Sequence, residues 1–270
     1  MPGARAAARA AADAESAAHE AGRRARQRAA AFDAAGAPRD VLADFAPFAR
    51  FDRAGLDAEL FFAAPGGAGW SPALADAALD LTRANMRAQY DAAGADWRWD
   101  DAAKRGEALD AEARYVVARE RGGAGALLGF VCFRFVLEEA ADALYVYELQ
   151  LAAGAQRRGL GKHLMQVCEL VARKQGMHWC AAGARALSGG ARAKSAHPAV
   201  SPPPRPRSVM LTVFRDNAAA LDFYTRKMKY VVDESSPSAC GDDDAKYEIL
   251  SKVVNAEAAR AARARAALLA

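Results

Sequence analysis

The stretch Gln156-Arg157-Arg158-Gly159-Leu160-Gly161-Lys162 decides the fold of this 270-residue chain. It follows a β-like run, 144–151, in which aromatic and branched residues alternate, and it leads into a segment whose apolar residues recur at helical spacing. The glycines therefore stand at a helix N-terminus, where unpaired backbone N–H groups and the helix dipole favour an anion. The stretch predicts a loop that binds a pyrophosphate, with three basic side chains adding positive charge.

Single positions exclude two other phosphate-binding loops. A P-loop would need glycine at Gln156 and serine or threonine at His163, and a dinucleotide fingerprint would need a third glycine at Leu164. The remaining pattern, Q/R-x-x-G-x-G/A, resembles the acetyl-coenzyme A loop of the GNAT acetyltransferase superfamily. For so short a motif, a glycine-rich turn with a solvated basic face is the alternative interpretation.

The predicted elements around the loop describe one α/β domain. Strands are expected at 58–63, 114–119, 126–136, 144–151, 209–214, 230–233 and 246–250, and helices at 72–92, from 160 onward and at 217–228. This order predicts the α/β (α+β) class, with a mixed, mostly antiparallel sheet and helices on both faces. It matches the GNAT fold, with an N-terminal helical extension.

The domain is expected at 40–252, interrupted at 180–208 by a Pro-, Gly- and Ala-rich insert that is predicted to be disordered. We interpret the insert as lineage-specific sequence or as an unspliced intron of the gene. Residues 1–39 form an Ala- and Arg-rich arm, helical or disordered, and 253–270 form a similar tail. The arm is open to three interpretations: a solvated helix, a transit peptide, or a basic segment that contacts the ribosome, nucleic acid or an acidic partner.

The net charge and the positions of the cysteines exclude few classes of function. The net charge of +4 does not require nucleic-acid binding, and no apolar run is long enough to span a membrane. The 4 cysteines are scattered without a CxxC pair, so we expect reduced thiols and no metal site.

Longer motifs make the resemblance more specific when the segments on either side of the insert are taken as one continuous sequence. The segments 145–148, 157–162, 209–214, 233–238 and 247–251 resemble the NatD family, as do 51–56, 81–86 and 97–99 upstream. NatD enzymes are N-alpha-acetyltransferases that modify the N-terminal serine of histone H4 and of histone H2 type-A. The resemblance implies acetyl-coenzyme A as co-substrate, these histone N-termini as partners, and a location in the cytoplasm and nucleus.

Acetyl transfer to an α-amine requires a base, because an unperturbed α-amine has a pKa of about 8 and is largely protonated at neutral pH. Glu148 is the candidate base, since it lies in the strand that leads into the loop. A solvent-facing residue or a buried ion-pair partner is the structural alternative. The resemblance favours catalysis, and it adds Tyr147 and Tyr224 to the catalytic set, with Tyr224 as an acid for the leaving thiolate.

The resemblance also assigns the binding residues. The cofactor would contact Leu149, Gln150, Leu151, Arg157, Arg158, Gly159, Leu160, Gly161, Lys162 and Asn217. Asn217 is equally suited to cap the helix that follows it. The acceptor peptide would contact Tyr90, Trp97, Glu138, Tyr145, Tyr147, Thr212, Ser235 and Tyr247.

Two departures from the NatD pattern affect the acceptor site. Val136 stands where the family has an aspartate, which leaves Glu138, with Glu139 beside it, to bind the arginine of a Ser-Gly-Arg-Gly terminus. Two extra residues between Tyr90 and Trp97 allow the tryptophan assignment to slip to Trp99. Two other functions stay open: a GNAT enzyme for a lysine or small-molecule amine, and a catalytically weak interaction protein with this fold.

Overall fold

The computed structural model describes residues 21–22, 24–25, 28–122, 125–138, 141–175, 179–182 and 208–254. Most of the predicted N-terminal arm, the centre of the insert at 183–207 and the tail from 255 onward lie outside the described residues, as does Glu139. No helix in the described ranges is long and apolar enough to cross a membrane.

A single sheet of nine strands forms the centre of the described structure. The strands are β1 (Arg50–Arg53), β2 (Leu56–Ala63), β3 (Arg114–Glu120), β4 (Leu127–Glu138), β5 (Ala141–Leu151), β6 (Trp179–Ala182), β7 (Ser208–Phe214), β8 (Val231–Val232) and β9 (Tyr247–Val253). Their spatial order is β1-β2-β3-β4-β5-β6-β7-β9-β8. Only the pairs of β6 with β5 and with β7 are parallel, so the prediction of a mixed, mostly antiparallel sheet is confirmed.

After the helical residues near the start of the described ranges, four α-helices accompany the sheet: α1 (Pro72–Ala93), α2 (Asp101–Ala108), α3 (Leu160–Lys174) and α4 (Ala218–Asp222), the last continuing as a π-helical turn, Phe223–Lys227. α1 begins where Ser71 Oγ accepts a hydrogen bond from the Leu74 N–H at 3.1 Å, with proline at the first helical position. α2 was not predicted. It begins at Asp100, whose carboxylate accepts the N–H groups of Ala102 and Ala103.

Helices cover both faces of the sheet, as predicted. On one face the apolar stripe of α3 packs on the strands, and its members Leu164, Val167 and Cys168 are completely buried. On the other face Leu74 and Ala78 of α1 pack on a second cluster from β2, β3 and β4. The alternating strand patterns of the sequence therefore reflect two separate apolar layers.

Two irregularities in the strand pairing around β5 shape the cleft that contains the candidate site. The register with β4 shifts where Cys132 pairs with Glu148 and Phe133 pairs with Val146, so Tyr147 is the extra residue of a β-bulge. β6 pairs only with Ala143 to Val146, and its parallel pairing with β7 ends at Leu211. Within the described residues, the last residues of β5 and β7 extend beyond β6 and line a common cleft.

The boundaries of the arm, insert and tail differ from those predicted. Residues 28–31 are helical and Phe32 bridges to Pro38, so this part of the arm packs on the domain. The fully buried Arg114 holds it, donating to the Ala31 carbonyl at 2.9 Å and lying 4.5 Å from the centre of the Phe32 ring. Residues predicted as insert or tail also take part in strand pairing. They are 180–182 and 208, which were predicted as insert, and 253, which was predicted as tail.

Candidate active site

The glycine loop forms the N-terminus of α3, as predicted. Gly159 is the N-cap residue with φ 94°, in the left-handed region that favours glycine. The first helical hydrogen bond runs from the His163 N–H to the Gly159 carbonyl, so the N–H groups of Leu160, Gly161 and Lys162 precede the helical ladder. These groups are the donors that an incoming pyrophosphate would meet.

Gly161 has a packing role that the motif did not reveal. A Cβ at this position would lie 3.2 Å from Leu151 Cδ1, so glycine allows the helix N-terminus to rest directly against the end of β5. Gln156 reinforces the contact by donating from Nε2 to the Leu151 carbonyl at 3.1 Å. The side chains of Arg157, Arg158 and Lys162 are exposed around this cradle. The residues present fit a pyrophosphate at the mouth of the cleft.

The cleft between β5 and β7 unites residues from separate parts of the sequence. Its lining includes the predicted catalytic residues Tyr147, Glu148 and Tyr224, and the predicted binding residues Leu149, Gln150, Thr212 and Asn217. Asn217 Oδ1 accepts the Ala220 N–H at 3.1 Å, so Asn217 does cap α4. Its Nδ2 donates to Gln89 Oε1 at 2.9 Å, which ties α4 to α1 across the cleft.

Both oxygens of the Glu148 carboxylate are held by neighbouring side chains. Oε1 lies 3.2 Å from Lys104 Nζ, and Oε2 accepts a hydrogen bond from Gln150 Nε2 at 2.7 Å. Gln150 is oriented in turn by Asn85, whose Nδ2 donates to Gln150 Oε1 at 3.0 Å. The ion-pair alternative raised for Glu148 is therefore present in the structure, in the same side chain that faces the cleft.

Lys104 is the residue of this site that sequence reasoning missed. Its Nζ also donates to Tyr90 Oη at 2.8 Å and to Glu107 Oε2 at 3.0 Å, and only 8% of its side chain is exposed. Burial lowers the pKa of the Lys104 ammonium, but the charges of Glu148, Tyr90 and Glu107 outweigh burial, and the pKa lies above its ordinary value. Lys104 therefore stays protonated at neutral pH. The one signal for it was the Asp100-Asp101 pair, typical of a helix start.

Aromatic side chains from distant segments form one wall of the acceptor side, which we call the aromatic wall: Trp97, Tyr145, Tyr147, Phe214 and Tyr247. The Trp97 ring lies 5.3 Å from that of Phe214 and 5.4 Å from that of Tyr247. The Tyr145 and Tyr147 rings are 4.7 Å apart, and Tyr145 Oη is 3.3 Å from Thr212 Oγ1. Phe214 was predicted only as the end of a strand, not as part of the site.

The structure separates the two tryptophans that the sequence left interchangeable. Trp99 lies against the Tyr90 ring at 5.6 Å and donates from Nε1 to Asp101 Oδ1 at 2.8 Å, so it supports α2. Trp97 is the member of the aromatic wall. Tyr90 is only 2% exposed, which places it behind the wall, with its hydroxyl on Lys104, rather than at the surface of the cleft.

The remaining predicted acceptor residues are less closely grouped. Ser235 is half-buried and its hydroxyl donates to Asp233 Oδ1 at 2.7 Å. The buried serine of this segment is Ser236, whose hydroxyl donates to the Glu248 carboxylate and accepts the Ile249 N–H. Glu138 lies in β4, opposite Ala141, and the orientation of its side chain is outside the description.

The position of the missing aspartate is apolar. Val136 packs with Ala143, Tyr145 and Ile249. The nearby Arg134 is paired with Asp110 at 2.9 Å and lies 4.5 Å from the centre of the Tyr147 ring.

Cysteine and metal chemistry find little support in the described ranges. Cys132 is buried, and burial raises the pKa of its thiol to about 12, so it is not a thiolate at neutral pH. Among the described residues no group of three or more His, Cys, Asp or Glu could hold a metal ion.

Part of this chain is similar to known acetyltransferases. The profile of the acetyltransferase (GNAT) family matches residues 77–187. A GNAT-family acetyltransferase from Listeria monocytogenes 4b F2365 is 13% identical, with a TM-score of 0.46 over 76% of this chain and 99% of its own. Arabidopsis thaliana NAA60 in complex with acetyl-CoA is 13% identical (TM-score 0.46, 73% and 99% covered), and Ard1 from Thermoplasma volcanium is 15% identical (0.43, 73% and 98%). The family match covers residues 77–187, and the sheet, the glycine loop and the cleft of the described residues have the arrangement of the GNAT fold, whose acetyltransferases use acetyl-coenzyme A.

Proposed function

We propose that this acetyltransferase is an N-alpha-acetyltransferase of Ser-Gly-Arg-Gly N-termini, those of histone H4 and histone H2 type-A. The observation that carries the proposal is the position of Glu148. Its carboxylate lines the cofactor cleft beside Tyr147 of the aromatic wall, so one group faces both the acetyl donor and the acceptor side. The NatD-like segments at 145–148, 209–214 and 247–251 meet at this point.

The chain would hold acetyl-coenzyme A with its backbone more than with its side chains. The cofactor supplies an activated thioester, and the N–H groups at the start of α3 would bind its pyrophosphate. Among the described residues, no strand pairs with this edge of β5 beyond Val146, so Leu149 to Leu151 would offer backbone groups to an extended ligand. The bulge at Tyr147 supplies the distorted backbone from which an N–H can stabilise the developing oxyanion.

Glu148 would remove the proton from the α-amine, directly or through one water. Each carboxylate oxygen already accepts one hydrogen bond and keeps a second lone pair for the proton. Tyr224 lines the same cleft and is the group we assign to return a proton to the departing thiolate. Because Cys132 is buried with a raised pKa, we favour direct transfer to the amine over an acetylated enzyme.

The aromatic wall suits a peptide terminus with small residues. Tyr145 and Thr212 present hydroxyl groups near the bulge, where a serine side chain and amine would lie. Glu138 would bind the arginine at the third position of the peptide, since Val136 provides no charge. We therefore expect weaker selection for arginine at the third position than a site with two carboxylates would give.

Purified protein with acetyl-coenzyme A and a Ser-Gly-Arg-Gly-Lys peptide tests the proposal. The same peptide with a blocked N-terminus distinguishes α-amine from lysine acetylation, and spermidine serves as a small-amine arm. We expect acetylation of the free peptide alone. Modification of the blocked peptide, or a preference for spermidine, would identify the alternative GNAT activity, and no turnover of any arm would favour an interaction protein.

Glu148→Gln is the matching variant. Loss of the general base should lower kcat by about 10²- to 10⁴-fold, with little change in acetyl-coenzyme A affinity. Glu169→Gln is the control, because Glu169 pairs with Lys252, a contact that lies outside the cleft. Full activity of Glu148→Gln would remove Glu148 as the base.

A further inference from the structure

We propose that Lys104 is a positioning residue for acetyl transfer: its ammonium contacts the Glu148 carboxylate and holds it aimed at the cleft. This inference rests on the proposed role of Glu148 as base. Lys104 belongs to α2, an element outside the glycine loop and the strand that carries Glu148. It reaches Glu148 from behind, through a small cavity that Glu107, Tyr115 and Cys132 also line.

The geometry shows why Lys104 acts through Glu148 and not on the substrate. A lysine ammonium has three N–H donors. Three acceptors are present around Nζ: Tyr90 Oη at 2.8 Å, Glu107 Oε2 at 3.0 Å and Glu148 Oε1 at 3.2 Å. The donor set is filled by the protein, so no N–H is left for an incoming amine or thioester.

Stability alone is a weak reason for such a cluster. A buried ion pair generally returns little net stability, because desolvation offsets the attraction. Here one ammonium faces two carboxylates that are only 13% and 15% exposed. An arrangement that fixes the direction of the carboxylate in the cleft has a direct use in a base, whose lone pair must meet the amine proton.

Other charged and titratable groups also face Glu148. Tyr90 comes from α1, Glu107 from α2, Tyr115 from β3, and Cys132 and Arg134 from β4. The Arg134 guanidinium is engaged elsewhere, by Asp110 and by the Glu107 carbonyl. Among the described residues, Lys104 is thus the cation in contact with the Glu148 carboxylate.

The proton transfer balances without a further reactant. One proton of the α-ammonium moves to the Glu148 carboxylate, and the nitrogen lone pair then forms the bond to the acetyl carbon. The C–S bond breaks, Tyr224 gives its proton to the departing thiolate, and the second proton lost from the nitrogen restores Tyr224. Lys104 keeps its proton throughout, and the proton on Glu148 returns to solvent after the product leaves.

The test is the pH dependence of kcat in a cycle of four proteins: wild type, Lys104→Met, Glu107→Gln and the double variant. Removing the ammonium should lower kcat at pH 7 by at least about tenfold. It should also move the acid limb of the pH profile, the range in which kcat falls with falling pH, up by about one to two pH units. Glu107→Gln should move the limb down, since the ammonium then faces one carboxylate. The double variant should fall between wild type and Lys104→Met.

Two further variants separate positioning from general damage. Lys104→Arg keeps the charge and should restore most of the shift in the acid limb. Lys252→Met removes a comparable half-buried ion pair with Glu169 and should leave the pH profile unchanged. KM for acetyl-coenzyme A should stay within about twofold in all variants, because Lys104 does not line the cofactor cleft.

The outcomes also separate this inference from the proposed function. If the wild type does not acetylate the Ser-Gly-Arg-Gly-Lys peptide but accepts another amine, the same pH profiles are measured with that amine. A lower kcat with an unmoved acid limb would reduce Lys104 to a structural residue, as would an unmoved limb in Glu107→Gln. Should Lys104→Met not fold, the opposite shift expected for Glu107→Gln still decides the question.

Discussion

The two halves of the active site differ in how the chain builds them. The cofactor half comes mainly from one continuous run, Glu148 to Lys162, in which a strand, a loop and a helix N-terminus follow each other directly, with Asn217 and Tyr224 added from the region of α4. The acceptor half is assembled from α1, α2, the segment between them, β5, β7 and β9. Its central contacts join Trp97 to Phe214 and Lys104 to Glu148 across long stretches of sequence.

The difference concerns which interactions determine each half. Local rules position the loop: a left-handed glycine, a helix start and a short strand-to-helix connection. Packing of distant elements positions the acceptor wall, so a change in one segment can move residues of another. Glu148 belongs to both halves, which makes it the point where the two can be uncoupled experimentally.

The largest effect is expected at the contact that fixes the cofactor half. Gly161→Val places side-chain atoms against Leu151, where a Cβ alone would already lie at 3.2 Å, and pushes the start of α3 away from β5. We expect acetyl-coenzyme A affinity to fall about 10- to 100-fold, equivalent to about 1–3 kcal/mol, measured by calorimetry.

Gly154→Ala is the matched control for that substitution. Gly154 lies in the same connection, and a Cβ there would meet nothing within 4 Å. It should bind the cofactor as the wild type does. If both variants bound normally, the close packing of α3 on β5 would not be what positions the pyrophosphate donors.

Sequence reasoning succeeded for the strand-to-helix connection around the glycine loop and for most of the sheet because those features are periodic or contiguous. The stripe of α3 and the strand that ends at Leu151 were both recognisable from spacing alone. α2 was missed because it has only eight residues and few apolar ones, so its position depends on capping by Asp100 and on burial of Lys104. A lysine between an alanine and an arginine carries no local sign that its ammonium will be buried.

The acceptor half illustrates the same limit with aromatic residues. Trp97 and Trp99 are indistinguishable by type and spacing, and only the opposing rings of Phe214 and Tyr90 assign them to different roles. The parallel pairing of β6 likewise depends on β5 and β7, which no local pattern within the insert could indicate.

A second prediction separates the two tryptophans. Trp97→Ala removes a ring that contacts both Phe214 and Tyr247, so we expect KM for the peptide to rise about tenfold with an unchanged KM for acetyl-coenzyme A. Trp99→Ala removes the support of α2 and should instead lower the melting temperature. The assignment would be reversed if Trp99→Ala raised the peptide KM and Trp97→Ala did not.

The smallest effect should appear as an acid sensitivity confined to the acceptor half. Burial opposes ionisation of Glu248, but hydrogen bonds from Ser236 and Ser238 and the Arg215 guanidinium prevail and hold its pKa below the ordinary value. A lowered folded-state pKa stabilises the fold above the unfolded value, about 4.3, and this stabilisation is lost as pH falls through the folded value. Because Glu248 adjoins Tyr247 in β9, peptide KM should rise below about pH 4 before acetyl-coenzyme A affinity changes. Glu248→Gln should show a lower melting temperature at pH 7 and a flatter decline of melting temperature toward acid pH, measured by thermal unfolding across pH.

An equally steep decline of melting temperature in that variant would assign the acid sensitivity to another carboxylate. Simultaneous loss of peptide binding and acetyl-coenzyme A binding would show that the two halves unfold as one unit.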